Sequence, residues 1–161
     1  MMSPYSRLFV ISSLLYLLVG ALMGTVMASF PTWKTIIHFP HAHTMAIGWI
    51  SMMIFGLAYH VIPRFASSPL VPDHYQRLHL WLANIGMMGM ITVPLLQNIF
   101  YDSSLPWNLL FFVFGLLQFL GILIFVKNML LALKFGPTKF LKSMPCCSSC
   151  VDEPSNTQFK R

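Results

Sequence analysis

Residues 41–60 read HAHTMAIGWISMMIFGLAYH, an apolar run of transmembrane length with His41 and His43 at one end and His60 at the other. About 20 apolar residues carry a helix across the hydrocarbon of a bilayer. Ionisable side chains inside such a segment are costly and mark functional positions. Imidazole is also the commonest protein ligand for haem iron and for many other metals. One stretch therefore sets the fold class and the place to look for function.

The chain on either side has the same character. Of its 161 residues, 57% are hydrophobic and 9% charged, and the mean hydropathy is +0.70, too apolar for a soluble domain of this size. Hydropathy predicts spans at about 8–30, 43–62, 78–100 and 109–133. The expected fold is an all-α integral membrane protein with a four-helix domain over 1–136 and a polar tail over 137–161. Phe30-Pro31-Thr32-Trp33-Lys34 closes the first span. Pro40 precedes the second, in a first turn where proline costs no hydrogen bond. Pro63-Arg64 ends it, and Pro94 predicts a kink in the third.

Basic residues set the expected orientation. Arg7, Arg64, Arg77, Lys127, Lys134 and the tail lysines fall on one side, against Lys34 and Asp102 on the other. The positive-inside bias then places both termini and the 64–77 loop in the cytoplasm, as for a multi-pass protein of the cell inner membrane. The net charge of +6 reads as topology and contact with anionic lipid. No basic folded face suggests nucleic acid. Val26-Met27-Ala28 before Ser29 resembles a signal cleavage site, but the apolar run exceeds the usual ~7–15 residues, so a retained span is expected.

Other motifs have ordinary readings. Cys146, Cys147 and Cys150 form CCSSC without the histidine that completes a covalent haem-attachment motif. An incidental tail is expected there, with a soft-metal site or lipidation as alternatives. Gly20 and Gly24 form a GxxxG, and Gly86 and Gly89 offer close helix approach in the third span. The twelve methionines and fourteen phenylalanines read as packing. No Ser-His-Asp arrangement or phosphate-binding loop is present, so a hydrolase or nucleotide enzyme is not expected.

Successive helical residues turn by about 100°, so His41 and His43 point about 200° apart. They suit two different partners: two cofactors, or a cofactor and a neighbouring protein surface. A hydrated helix start is the alternative. Trp33, Lys34 and His38 lie where haem propionates would be held, although Trp33 also fits an interfacial anchor. His60 and His79 are a second candidate pair, able to share a cofactor or to bind a metal with His74. The favoured reading makes them interfacial side chains that reach water.

His41-Ala42-His43-Thr44-Met45, Ala58-Tyr59-His60-Val61-Ile62-Pro63-Arg64 and Arg77-Leu78-His79-Leu80-Trp81-Leu82-Ala83-Asn84 together resemble subunit I of the haem-copper oxidases, in the branch of cbb3-type oxidases and nitric oxide reductases. The likeness covers about the first hundred residues. In that family the second helix begins with a histidine ligand of the low-spin haem and ends in a motif like Tyr59–Arg64, which implies His41 as the ligand. The later helices that carry the copper-site histidines have no counterpart here, so no copper and no autonomous oxygen or nitric oxide reduction is expected. His41-Ala42-His43 also resembles a His-x-His pair on the family's tenth helix whose members face different haems. The family's helices form three groups of four. The reading preferred from this resemblance is a homotrimer of this four-helix chain that imitates the arrangement, with b-type haems held between protomers by His41 and His43; a site within one subunit is the alternative. Bis-histidine iron has no open position and suits electron transfer, with a cytochrome or quinol as donor. The rival readings are a cofactor-free structural or assembly subunit of a respiratory complex and a haem-based gas sensor.

Overall fold

The computed structural model describes residues 2–68, 71–100 and 106–134, and every regular element among them is helical. Four helices follow in order: α1 (Pro4–Ser29), α2 (Pro31–Phe65), α3 (Asp73–Phe100) and α4 (Trp107–Lys134), each long and apolar enough to cross a membrane. Such a set suggests a multi-pass membrane protein. The CCSSC motif and the rest of the 137–161 tail lie outside the described residues.

Local chemistry explains the ends. The Ser3 side chain accepts from the Ser6 amide at 3.1 Å, and Pro4 follows at the first helical position. Pro31 forces Phe30 into an extended conformation, φ −129° and ψ 92°, which stops α1. The same proline supplies the fixed φ that starts α2, so one residue makes the corner.

The second helix differs from its expected bounds. It begins at Pro31 and runs through Pro40, which lies inside it. Trp33, Lys34 and His38 are therefore helical, and His41 lies ten residues, about 15 Å, from Pro31 at the corner. Gly20, which His41 touches, lies nine residues from the end of α1, about 14 Å. The two estimates agree and put the histidines well down the bundle. Just after them, Thr44–Ser51 forms a π-helix. Pro94 also lies inside a continuous helix, α3.

Helix α3 is central, with 44% of its most apolar window buried, against 22% for α1 and 11% for α4. α1 packs on α2, α3 packs on α4, and α2 and α3 cross the middle. α1 and α4 occupy opposite corners. The core lies toward the end that carries Pro4 and Lys134, around Phe9, Phe55, Tyr59, Ala83, Met87 and Met129.

Candidate functional site

His41 reaches across to α1, where its Nδ1 donates to the Gly20 carbonyl at 3.0 Å. A carbonyl oxygen only accepts, so Nδ1 carries the hydrogen and the neutral ring keeps its lone pair on Nε2. The ring fits because Gly24 has no side chain: a Cβ there would lie 3.3 Å from His41 Cε1 and 4.0 Å from Nε2. One turn away, a Cβ on Gly20 would meet Met45 Sδ at 2.5 Å. The GxxxG of α1 is thus a seat for two side chains of α2.

His43 is fixed in the same way within its own helix. Its Nδ1 donates to the Phe39 carbonyl at 3.1 Å, and its ring lies 4.1 Å from that of Phe39. Phe39 in turn lies 5.6 Å from Phe111 on α4. Neither imidazole has a described partner at Nε2. Ala42, exposed between them, marks the open face of α2, with His41 at its α1 edge and His43 at its α4 edge. Lys34 and His38, seven and three residues before His41, continue its face toward the corner and are exposed. Trp33 is half-exposed beside them.

The second pair separates. His60 is partly exposed and accepts from Arg64 of its own helix, whose guanidinium also donates to the His60 carbonyl. His79 is fully buried, which corrects its interfacial reading. Its ring is clasped by Phe9 and Phe55 at 4.8 Å and by Phe125 at 5.7 Å. Its Nδ1 lies 3.0 Å from the Tyr59 hydroxyl, to which Asn128 donates at 3.2 Å. The fully matched arrangement has Asn128 donating to Tyr59 and Tyr59 donating to His79 Nδ1, leaving only Nε2–H without a partner. This neutral histidine presents no lone pair, and it acts in packing. His74 is exposed against Tyr75. Among the described residues no group of three or more His, Cys, Asp or Glu gathers to hold a metal.

Sequence reading missed the Gly20 carbonyl, Tyr59 and Asn128. Asn128 carried a signal, a carboxamide within an apolar run, which in a membrane calls for a polar partner.

Two imidazoles, each with Nδ1 committed to a backbone carbonyl, are side chains that could hold a haem iron through Nε2. Metal-bound histidines commonly donate their other N–H to a carbonyl in this way. The glycine seat fits the requirement too, since a side chain at Gly24 would crowd the coordinating edge. No family model matches the chain, and no curated protein or solved structure matches it.

Proposed function

We propose that this chain is a membrane-embedded b-type haem protein of the electron-transfer class, in which His41 and His43 of neighbouring protomers of a homotrimer would hold the haem. One observation carries the reading: both imidazoles commit Nδ1 to a backbone carbonyl, that of Gly20 on α1 for His41 and that of Phe39 on α2 for His43. Bound haem would supply a one-electron change at iron. The residues of the chain orient the two rings, and Lys34 and His38 offer cationic or hydrogen-bonding partners to propionates on the corner side. Trp33 closes that end as an interfacial ring. No copper is included, and the resemblance to haem-copper subunit I supports the ligand choice without the later helices.

The reading includes a cytoplasmic inner-membrane location with both termini inside, supported by the distribution of basic residues. Oxidised and reduced absorption spectra of the purified full chain test it. Haem bands are expected in the wild type and lost in His41→Ala and in His43→Ala. Haem retained in both variants overturns the assignment, and no haem in a folded wild type favours the structural-subunit alternative. A spectral shift with carbon monoxide favours the gas-sensing one.

A further inference from the structure

The buried side chains of Ser6, Thr44, Gln76 and Asn128 all have hydrogen-bond partners, as a bilayer demands. Among the described residues three buried side-chain atoms have none: Nε2 of His79 on α3, and both Oε1 and Nε2 of Gln118 on α4. His79 is fully enclosed and Gln118 is 3% exposed. Gln118 lies eleven residues from Trp107 in a helix of 28 residues, about 16 Å in and close to the middle of the span. A carboxamide left unpaired at that depth is costly, so its surroundings call for a partner.

The three atoms belong to one seam. α3 and α4 run antiparallel with their backbones close together: a Cβ at Gly86 would lie 2.8 Å from the Gln118 amide nitrogen, and a Cβ at Gly121 would lie 3.6 Å from that of Ala83. The Gly121 position also meets the His79 ring, 3.3 Å from Cδ2, the atom bonded to Nε2. Gln118 stands three residues before Gly121, on the same face and one turn away. Helical side chains lean toward the N-terminus of their own helix. His79 therefore leans toward Asp73 and Gln118 toward Trp107, in opposite directions along the seam, and their polar ends do not close on each other. Gly121 places no side chain in the step between them.

We infer that the α3–α4 seam binds internal water in the interior of the bundle, held by His79 Nε2–H and the Gln118 carboxamide. One water accepts from His79 Nε2–H and donates to Gln118 Oε1, and the Gln118 amide group donates to a second. His79 can only donate here and Gln118 both donates and accepts, so the occupant must do both as well. The close backbone approach at Gly86 and the burial of both side chains leave room for nothing larger than water. The site extends the Tyr59 triad. Asn128 donates to Tyr59, Tyr59 to His79, His79 to water and water to Gln118, all in one sense, an order in which neighbouring hydrogen bonds polarise and strengthen one another. The chain of bonds leaves α4 at Asn128, crosses α2 and α3, and returns to α4 at Gln118. The haem reading plays no part in it.

Magic-angle-spinning NMR of the full chain in nanodiscs, with isotope-labelled histidine and under reductant, reads the site directly. His79 is assigned by the resonance missing from His79→Phe. The expected spectrum has Nδ1 bare, Nε2 protonated, and a cross-peak between water and the Nε2 proton. Gln118→Met, with helicity checked by circular dichroism, should remove that cross-peak and leave the Nδ1 signal in place. Exchange of the Nε2 proton with deuterated water should then slow by about tenfold or more, because it requires opening of the bundle. The wild-type spectrum decides even if the variant misfolds: an Nε2 proton without a water cross-peak overturns the inference. No water contact, but a shift of the Nε2 proton in Gln118→Met, would mark a direct His79–Gln118 bond and overturn it equally. A cross-peak that survives in Gln118→Met would leave water on His79 alone and overturn the shared site.

Discussion

Replacing Tyr59 by phenylalanine should destabilise the bundle without touching the proposed haem site. The hydroxyl joins α2 to His79 of α3 and Asn128 of α4, at 3.0 and 3.2 Å, in a fully enclosed layer. Its loss leaves His79 Nδ1 and an Asn128 N–H buried without partners. At about 1–3 kcal/mol for each orphaned group the upper bound is roughly 2–6 kcal/mol. In a bilayer the separated helices find other partners, and measured pair couplings average about 0.6 and reach about 1.7 kcal/mol. The expected cost is therefore about 2–3 kcal/mol in reversible denaturation from mixed micelles, with a Tyr59→Phe and His79→Phe coupling of about 1 kcal/mol. Haem absorbance per folded chain should not change, because the triad lies near the opposite end of α2 from His41. A single-variant cost below about 0.5 kcal/mol would refute the hydrogen-bond assignment. Loss of haem from a still-folded Tyr59→Phe would move the cofactor toward His79 and refute its role in packing.

Gly24→Val should weaken haem binding about 10–100-fold, the usual cost of disturbing a ligand's outer partner, by pushing His41 off the Gly20 carbonyl; haem titration of the apoprotein measures it. Gly89→Ala should cost about 1–3 kcal/mol, since a Cβ there would overlap the Phe114 ring, and Phe114→Leu should restore much of the loss in a thermal melt. A membrane-impermeant maleimide should label the tail cysteines only after the membrane is permeabilised, as expected for a cytoplasmic C-terminus; labelling of intact cells would invert the orientation.

Hydropathy was enough to find four helices because each must bury or expose about 20 apolar residues in lipid whatever its neighbours do. It placed the second start at residue 43 where the helix begins at Pro31, because a proline inside a helix looks the same in sequence as one at its first turn. The divergence of His41 and His43 was legible, since it follows from helical geometry alone. What holds them was not, because the Gly20 carbonyl belongs to another helix and no residue type announces a backbone acceptor. His79 was misread for a related reason. Its neighbours His74 and Arg77 are exposed, while its burial comes from Phe9, Phe55 and Phe125 on three other helices.

The π-helix explains why face arithmetic cannot be carried down α2. Pro40 has no N–H to donate, and its carbonyl accepts from both the Thr44 hydroxyl, at 2.8 Å, and the Thr44 amide, which is shared with the His41 carbonyl. The next turns widen, and the Ser51 hydroxyl bonds Ala46 five residues back at 2.9 Å. In an unbroken α-helix His41 and His60 would point about 100° apart; eight π residues intervene and remove that relation. They also bring Gly48 against Tyr16, whose ring atom Cγ would lie 2.8 Å from a Cβ at that position. α1 therefore fixes α2 on both sides of the widened turn, through Gly24 against His41 above it and through Ser6, Phe9 and Val10 against Gly56 below it. The histidine turn and the Tyr59 layer are thus registered independently against the same helix. A change in one need not rotate the other, and this separation is the physical basis for expecting Tyr59→Phe to cost stability while haem stays in place.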